Sequence, residues 1–163
     1  MLELVQTYSY LGLFTILLIE EAGIFLPIPG DIFIAAQSVL PNSNYFLTTA
    51  TVTLATLAGS TILFTIARRF GHPLILKFGK YIKITPDKVK KTEKWFTKYG
   101  GFAIVIGRLI PGLRIITPIV AGTFNISYKT FWLYTAIAAI IWANIYYVIG
   151  RFFGEFLSLV LSR

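Results

Sequence analysis

From Phe46 to Ala67 the chain runs 22 residues without a charged side chain, and from Thr130 to Gly150 it does so again for 21. A hydrocarbon core of about 30 Å takes about 20 residues of helix at 1.5 Å per residue, so each run is long enough to cross a bilayer. A soluble protein could hide two such segments only behind a polar shell. Of the 163 residues, 56% are hydrophobic and 13% charged, against about 25% charged in an ordinary soluble domain. Mean hydropathy is +0.73. The chain therefore reads as an all-α integral membrane protein, with a length that suits one domain.

Small residues recur at four-residue spacing in both runs, Ala55 with Gly59 and Ala139 with Ala143. Such pairs let helix backbones approach closely, although alanines facing lipid would look the same. The N-terminus, MLELVQTYSYLGLF, has no basic leader, so insertion is expected to rest on the apolar segments themselves.

The net charge of +8 would suggest nucleic acid in a soluble protein, but its distribution points elsewhere. Residues 1–67 contain no Lys or Arg, and ten of the fifteen basic residues fall within 68–98. A basic block beside apolar spans is the positive-inside signal, which puts 68–98 in the cytoplasm and the chain in the cytoplasmic membrane, in reach of anionic lipid heads. No nucleic-acid-reading motif accompanies it, so nucleic acid is not an expected partner. Within this segment Thr85, Pro86 and Asp87 read as the capped start of a helix, with Val89, Trp95 and Phe96 at the membrane interface and lysines reaching water.

Two further apolar regions are interrupted. Leu4–Leu40 contains Glu20, Glu21, Pro27, Pro29, Gly30 and Asp31; Tyr99–Tyr128 contains Arg108, Pro111, Gly112, Arg114 and Pro118. Proline removes a backbone donor and clashes with the preceding turn. Broken backbone at membrane depth is tolerated only inside protein or beside a water-filled cavity. Both regions are expected to form re-entrant hairpins broken at these prolines and glycines. The chain also repeats weakly: PIPGD precedes a span ending in IARRFG, LIPGLR one ending in IGRFFG, with Pro29 to Gly71 spanning 42 residues and Pro111 to Gly154 spanning 43. One crossing per half implies an inverted repeat, with a first unit of about 4–71, a basic linker of about 72–98 and a second unit of about 99–154.

The charges inside these regions are the candidate site. Glu20, Glu21 and Asp31 come from the first half, Arg108 and Arg114 from the second. An intramembrane charge is costly unless paired, hydrated or facing a cavity. On one unbroken helix Arg108 and Arg114 would point about 240° apart; a break at Pro111-Gly112 lets both meet one anion. Arginine stays charged and offers a planar fork that fits phosphate. Backbone N–H groups after Gly30 and Gly112 would help. Glu21 or Glu20, with Asp31, would carry protons, since a carboxyl in a poorly hydrated cavity is more readily protonated unless an arginine is close. The same charges are also compatible with a buried ion-pair lock between hairpins, or with arginines anchored at the surface, and Glu20 with an interfacial position.

Enzyme chemistry finds no support. The chain has no cysteine and one histidine, His72, which leaves neither a zinc site nor a nucleophile–base–orienter set, and no nucleotide-binding glycine pattern is present. No cofactor is expected. A homodimer is compatible with the sequence.

EEAGIFLPIPGD (20–31) and GRLIPGLRIITPIVAG (107–122) resemble the two signature regions of the DedA family of membrane proteins, which carry the VTT, or SNARE-associated, domain. The likeness extends to KWFTKYGGFAIVIGR (94–108), Trp142 and GRFFG (150–154). It implies two oppositely oriented re-entrant hairpins and proton-coupled flipping of a lipid such as undecaprenyl phosphate, with Glu21 or Glu20 and Asp31 as essential acids and Arg108 and Arg114 as essential arginines. Relatives also resemble phospholipid scramblases. Gly59-Ser60 and Ile66-Ala67-Arg68 depart from the family's Gly-Asp and Ile-Gly-Arg, which removes one possible proton carrier. Carriage of a small oxyanion or solute, and a non-transporting scaffold, are the alternatives.

Overall fold

The computed structural model describes residues 2–24, 26–27, 29–40, 43–71, 86–110 and 113–161. The described residues form seven helices and no strand: α1 (Leu2–Glu21), α2 (Gly30–Val39), α3 (Tyr45–Phe70), α4 (Pro86–Tyr99), α5 (Phe102–Leu109), α6 (Ile116–Thr123) and α7 (Tyr128–Leu161).

The two long helices contain the charge-free runs. Tyr45–Phe70 and Tyr128–Gly154 are both long and apolar enough to cross a membrane. The Asn44 side chain accepts from the Leu47 N–H at 3.0 Å to start α3. Gly71, with φ of +61°, ends it, and Arg68 and Arg69 complement the negative end of its dipole. Hydroxyls along the chain turn back onto their own helices: Thr48, Thr53, Ser60, Thr61 and Thr117 each donate to the carbonyl four residues earlier. In an apolar surround that satisfies a donor that water cannot reach. Leu54, Ile62, Leu133, Val148 and Phe152 are exposed, a face suited to lipid and hazardous in water.

α3 and α7 run antiparallel. Phe64 stacks on Phe131 with centroids 4.2 Å apart, and Tyr45 meets Tyr147 edge-on at 5.3 Å. α1 runs parallel to α3. The Tyr10 hydroxyl accepts from the Asn44 N–H at 2.9 Å, and Gly59 abuts the Leu18 carbonyl and Glu21 Cβ. α2 then returns towards Asn44. The first hairpin thus starts and ends beside the beginning of α3. The second does so beside the beginning of α7: Gly101 abuts Thr130 and Tyr134, and Phe124–Ser127 leads directly into α7. The hairpins also exchange partners, since α2 packs on α7 and α6 packs on α3. Gly150 gives α2 room beside the Ala35 carbonyl and Ser38, and Gly122 gives α6 room beside the Phe64 carbonyl and Ala67.

The breaks differ in detail from the sequence-based expectation. α1 is ended by Gly23, at φ of +94°: Gly23 N–H donates to the Glu20 carbonyl at 3.0 Å and Ile24 N–H to Ile19 at 3.2 Å, the paired bonds of a glycine-terminated helix. Pro27 and Pro29 follow in the connecting stretch, and α2 begins at Gly30. Pro118 is not a break. It is the third residue of α6, where a missing N–H removes no helical bond. α5 ends at Leu109 with Ile110 extended; Pro111 and Gly112 lie outside the described residues, as do His72 and the proposed cap Thr85. Phe96 is not interfacial: it is buried in the cluster of Phe64, Ile104, Ile116 and Phe131, with Trp95 packed against it. Ala55, Gly59, Ala139 and Ala143 are buried, so the small pairs serve packing.

Candidate functional site

The ends of four elements converge between the two buried clusters. Glu21 is the last residue of α1, Asp31 lies in the first turn of α2, Arg108 lies in the last turn of α5, and Arg114 lies between α5 and α6. Trp142, from α7, forms one wall.

Glu21 is the centre. Its side chain is 2% exposed and that of Arg108 3%. Arg108 Nη2 donates to Glu21 Oε2 at 2.6 Å, and Arg114 Nε donates to Oε1 at 2.5 Å, joined there by Arg114 Nη2. Arg114 Nη1 donates to Asp31 Oδ1 at 2.9 Å. The same oxygen accepts from Trp142 Nε1 at 2.7 Å, and the Arg114 guanidinium lies 5.2 Å from the indole centroid. Arg114 is therefore engaged through three nitrogens and a ring face. Arg108 is not: its Nη1 is buried with no hydrogen-bond partner.

Helix electrostatics explains part of this pairing. Asp31 at the start of α2 and Arg108 at the end of α5 suit their dipoles; Glu21 at the end of α1 and Arg114 ahead of α6 oppose theirs. The two residues placed against a dipole are bonded to each other, and each supplies the counter-charge its position lacks.

Glu20 takes a separate role. Its Oε2 accepts from the Gly30 N–H at 3.0 Å, so it ties the two arms of the first hairpin together. A Cβ at Gly30 would collide with this carboxylate and with Leu17. The donors after Gly112 lie outside the described residues.

The structure thus brings Glu21, Asp31, Arg108 and Arg114 into one network and sets Glu20 beside it. The sequence left Glu20 and Glu21 undecided and gave Trp142 no part in the site. The signal for the first was one of phase, since adjacent helical residues point about 100° apart. Trp142 carried no local signal, because only the seating of α2 on α7 brings it to Asp31. Ser60, where an acid was expected by resemblance, is buried and bonds to the Thr56 carbonyl of its own helix at 2.5 Å. Among the described residues no cluster of three or more His, Cys, Asp and Glu side chains could hold a metal ion.

Residues 28–152 match the VTT domain. An uncharacterized membrane protein of Bacillus subtilis, YbfM, is 32% identical over 155 residues, covering 93% of this chain and 94% of its own length. Protein DedA of Escherichia coli K12 is 32% identical over 161 residues, 93% of this chain and 73% of its own. Undecaprenyl phosphate transporter A of Staphylococcus aureus is 29% identical over 168 residues, 98% of this chain and 81% of its own. No solved structure matches significantly.

Proposed function

This chain belongs to the VTT-domain, or DedA, family of membrane proteins, and from that premise we propose that it is a proton-coupled flippase of an anionic lipid, polyprenyl phosphate above all. The observation that carries the reading is the seat of Glu21. Two guanidiniums from the second half close on one buried carboxylate from the first, with both its oxygens engaged. A phosphate monoester presents the same acceptors and one more, and Arg108 Nη1 is a donor still without an acceptor.

Charge sets the mechanism. Glu20, Glu21 and Asp31 against Arg108 and Arg114 give three negative charges to two positive, a formal −1. An anion entering this cluster unaided would be repelled and would find the forks occupied. Protonating Glu21 removes its claim on both arginines and brings the cluster to neutrality, so a proton and a lipid phosphate enter together. When the phosphate leaves, the arginines recover Glu21 as it gives up the proton. Only the headgroup needs this polar seat; the isoprenoid tail stays in the bilayer.

The architecture proposed with it is a single domain of two inverted repeats, about 4–71 and 99–154, each a re-entrant hairpin and a span. Three features support it: the hairpins begin and end at opposite ends of the antiparallel α3–α7 pair, the second arm of each packs on the long helix of the other half, and their tips carry the opposite charges. In this reading the basic 68–98 segment lies in the cytoplasm and the protein sits in the cytoplasmic membrane.

Reconstitution tests it. Labelled polyprenyl phosphate should cross liposomes containing the protein, faster with an imposed proton gradient. Uptake of water-soluble phosphate alone would favour a solute carrier. No movement of either, from protein that is folded, would leave the cluster as an ion-pair lock.

A further inference from the structure

We propose that Trp142 is a positioning residue of this site, holding Asp31 through its N–H and Arg114 through its ring face while the guanidinium is handed from carboxylate to phosphate. The inference rests on the flippase reading and adds a residue to it.

Trp142 touches one partner from each half. Its Nε1 donates to Asp31 Oδ1 at 2.7 Å, and its ring centroid lies 5.2 Å from the Arg114 guanidinium. The residue is 8% exposed, packed with Leu13, Leu17, Ile34 and Val52, and its ring lies 4.9 Å from that of Tyr146. Packing fixes the indole in place.

The chemistry of the indole suits a handover. It is a donor only, so it can never compete with phosphate for an arginine. Its face attracts a cation without occupying any N–H group. Arg114 can therefore stay over the ring while its fork turns from Glu21 and Asp31 to a lipid phosphate. Asp31 meanwhile loses its Arg114 bond and would be free to swing into the phosphate seat. The bond from Trp142 holds it back, and its charge does not change with pH. A carboxylate in the same place would capture Arg114; an aliphatic side chain would release Arg114 and leave Asp31 only its hydrogen bond with Tyr146.

A tryptophan serving only as core filling predicts something different from its replacement by Phe, which keeps a ring and most of the volume but has no N–H. In liposomes with labelled polyprenyl phosphate, Trp142→Phe should flip about tenfold more slowly or worse, the loss expected on deleting a hydrogen bond to a charged group. The half-saturating lipid concentration should change less, and the melting temperature by a few degrees at most. A second measurement reads the indole directly. With Trp95→Phe and Trp132→Phe, in a background that flips at the wild-type rate, Trp142 is the sole emitter. Farnesyl phosphate should shift its emission; farnesol should not, and Arg114→Lys should abolish the shift. Wild-type flipping by Trp142→Phe, or emission indifferent to farnesyl phosphate in protein that flips, overturns the inference and leaves the flippase reading standing. If Trp142→Phe does not fold, the emission experiment decides alone. Failure of the wild-type protein to move the lipid ends both.

Discussion

Glu21→Ala removes the one counter-charge that Arg108 and Arg114 share, and leaves two guanidiniums facing each other in a buried site. Breaking a buried pair in this way costs about 3–5 kcal/mol. If the carboxylate stands where a phosphate belongs, the loss should be reversible by an anion: millimolar phenyl phosphate should raise the melting temperature of Glu21→Ala well beyond its effect on wild type. Equal effects on both would reduce the cluster to a structural lock. Arg114→Lys probes the fork. Lysine keeps the charge but cannot reach Glu21 and Asp31 together through separate nitrogens as Arg114 does. Flipping should fall about tenfold or more while the protein still folds; wild-type rates from this variant would exclude bidentate recognition. That these four charges meet was legible in the sequence, because opposite signs in two broken apolar regions have few other ways to be tolerated in a membrane. Which glutamate takes which part was not. Glu20 and Glu21 differ only in helical phase, and the phase is set by how α1 seats on Gly59.

The helices followed from hydropathy, but their ends followed from rules that hydropathy hides. Proline directed attention to Pro27 and Pro29, whereas α1 ends earlier, at Gly23, through its left-handed φ. Pro118 is spelled like a breaker and acts as a first-turn residue of α6. Phe96 looks interfacial in an amphipathic stretch, yet α4 packs against α5 and α6 and carries it into the core. Gly23 and Pro118 follow local rules of helix ends, and only for Phe96 did a contact distant in sequence outweigh the local pattern. The glycines that allow the hairpins to exchange partners give a test at this scale. A methyl at Gly150 would strike the Ala35 carbonyl and Ser38, and one at Gly122 the Phe64 carbonyl and Ala67. Each Gly→Ala should destabilise by about 1–3 kcal/mol in detergent melts. Gly12→Ala, with open space around its Cβ, should be neutral or stabilising by up to about 1 kcal/mol. Similar losses at Gly122 and Gly150 would fit two equivalent seats; a loss at only one would mean that the two hairpins are not held alike.

At the scale of the molecule, the second arm of each hairpin packs on the long helix that follows the other, α2 on α7 and α6 on α3, while α1 packs on α3 and α5 on α7. That exchange brings acids and arginines face to face. Gly59, against Glu21, lies about 21 Å along α3 from Tyr45 and about 17 Å from Phe70, and Trp142 lies about 21 Å along α7 from Tyr128. In the proposed arrangement the two hairpins enter from opposite sides, because they begin at opposite ends of the antiparallel α3–α7 pair. The absence of native cysteine makes the consequence easy to measure, since every introduced thiol reports alone. Lys98 and Lys129 flank the second hairpin and both are exposed; Phe46, 79% exposed, lies beside the closure of the first. In intact cells or sealed right-side-out vesicles, Lys98→Cys and Lys129→Cys should resist a membrane-impermeant maleimide until the membrane is opened. Phe46→Cys should react before that. Lys98 and Lys129 reacting from opposite sides would mean that residues 99–128 cross completely, and the charges at Arg108 and Arg114 would then belong to a span rather than to the tip of a hairpin. All three reacting from one side would place both hairpins on a common face, and the inverted arrangement built on the antiparallel α3–α7 pair would fail.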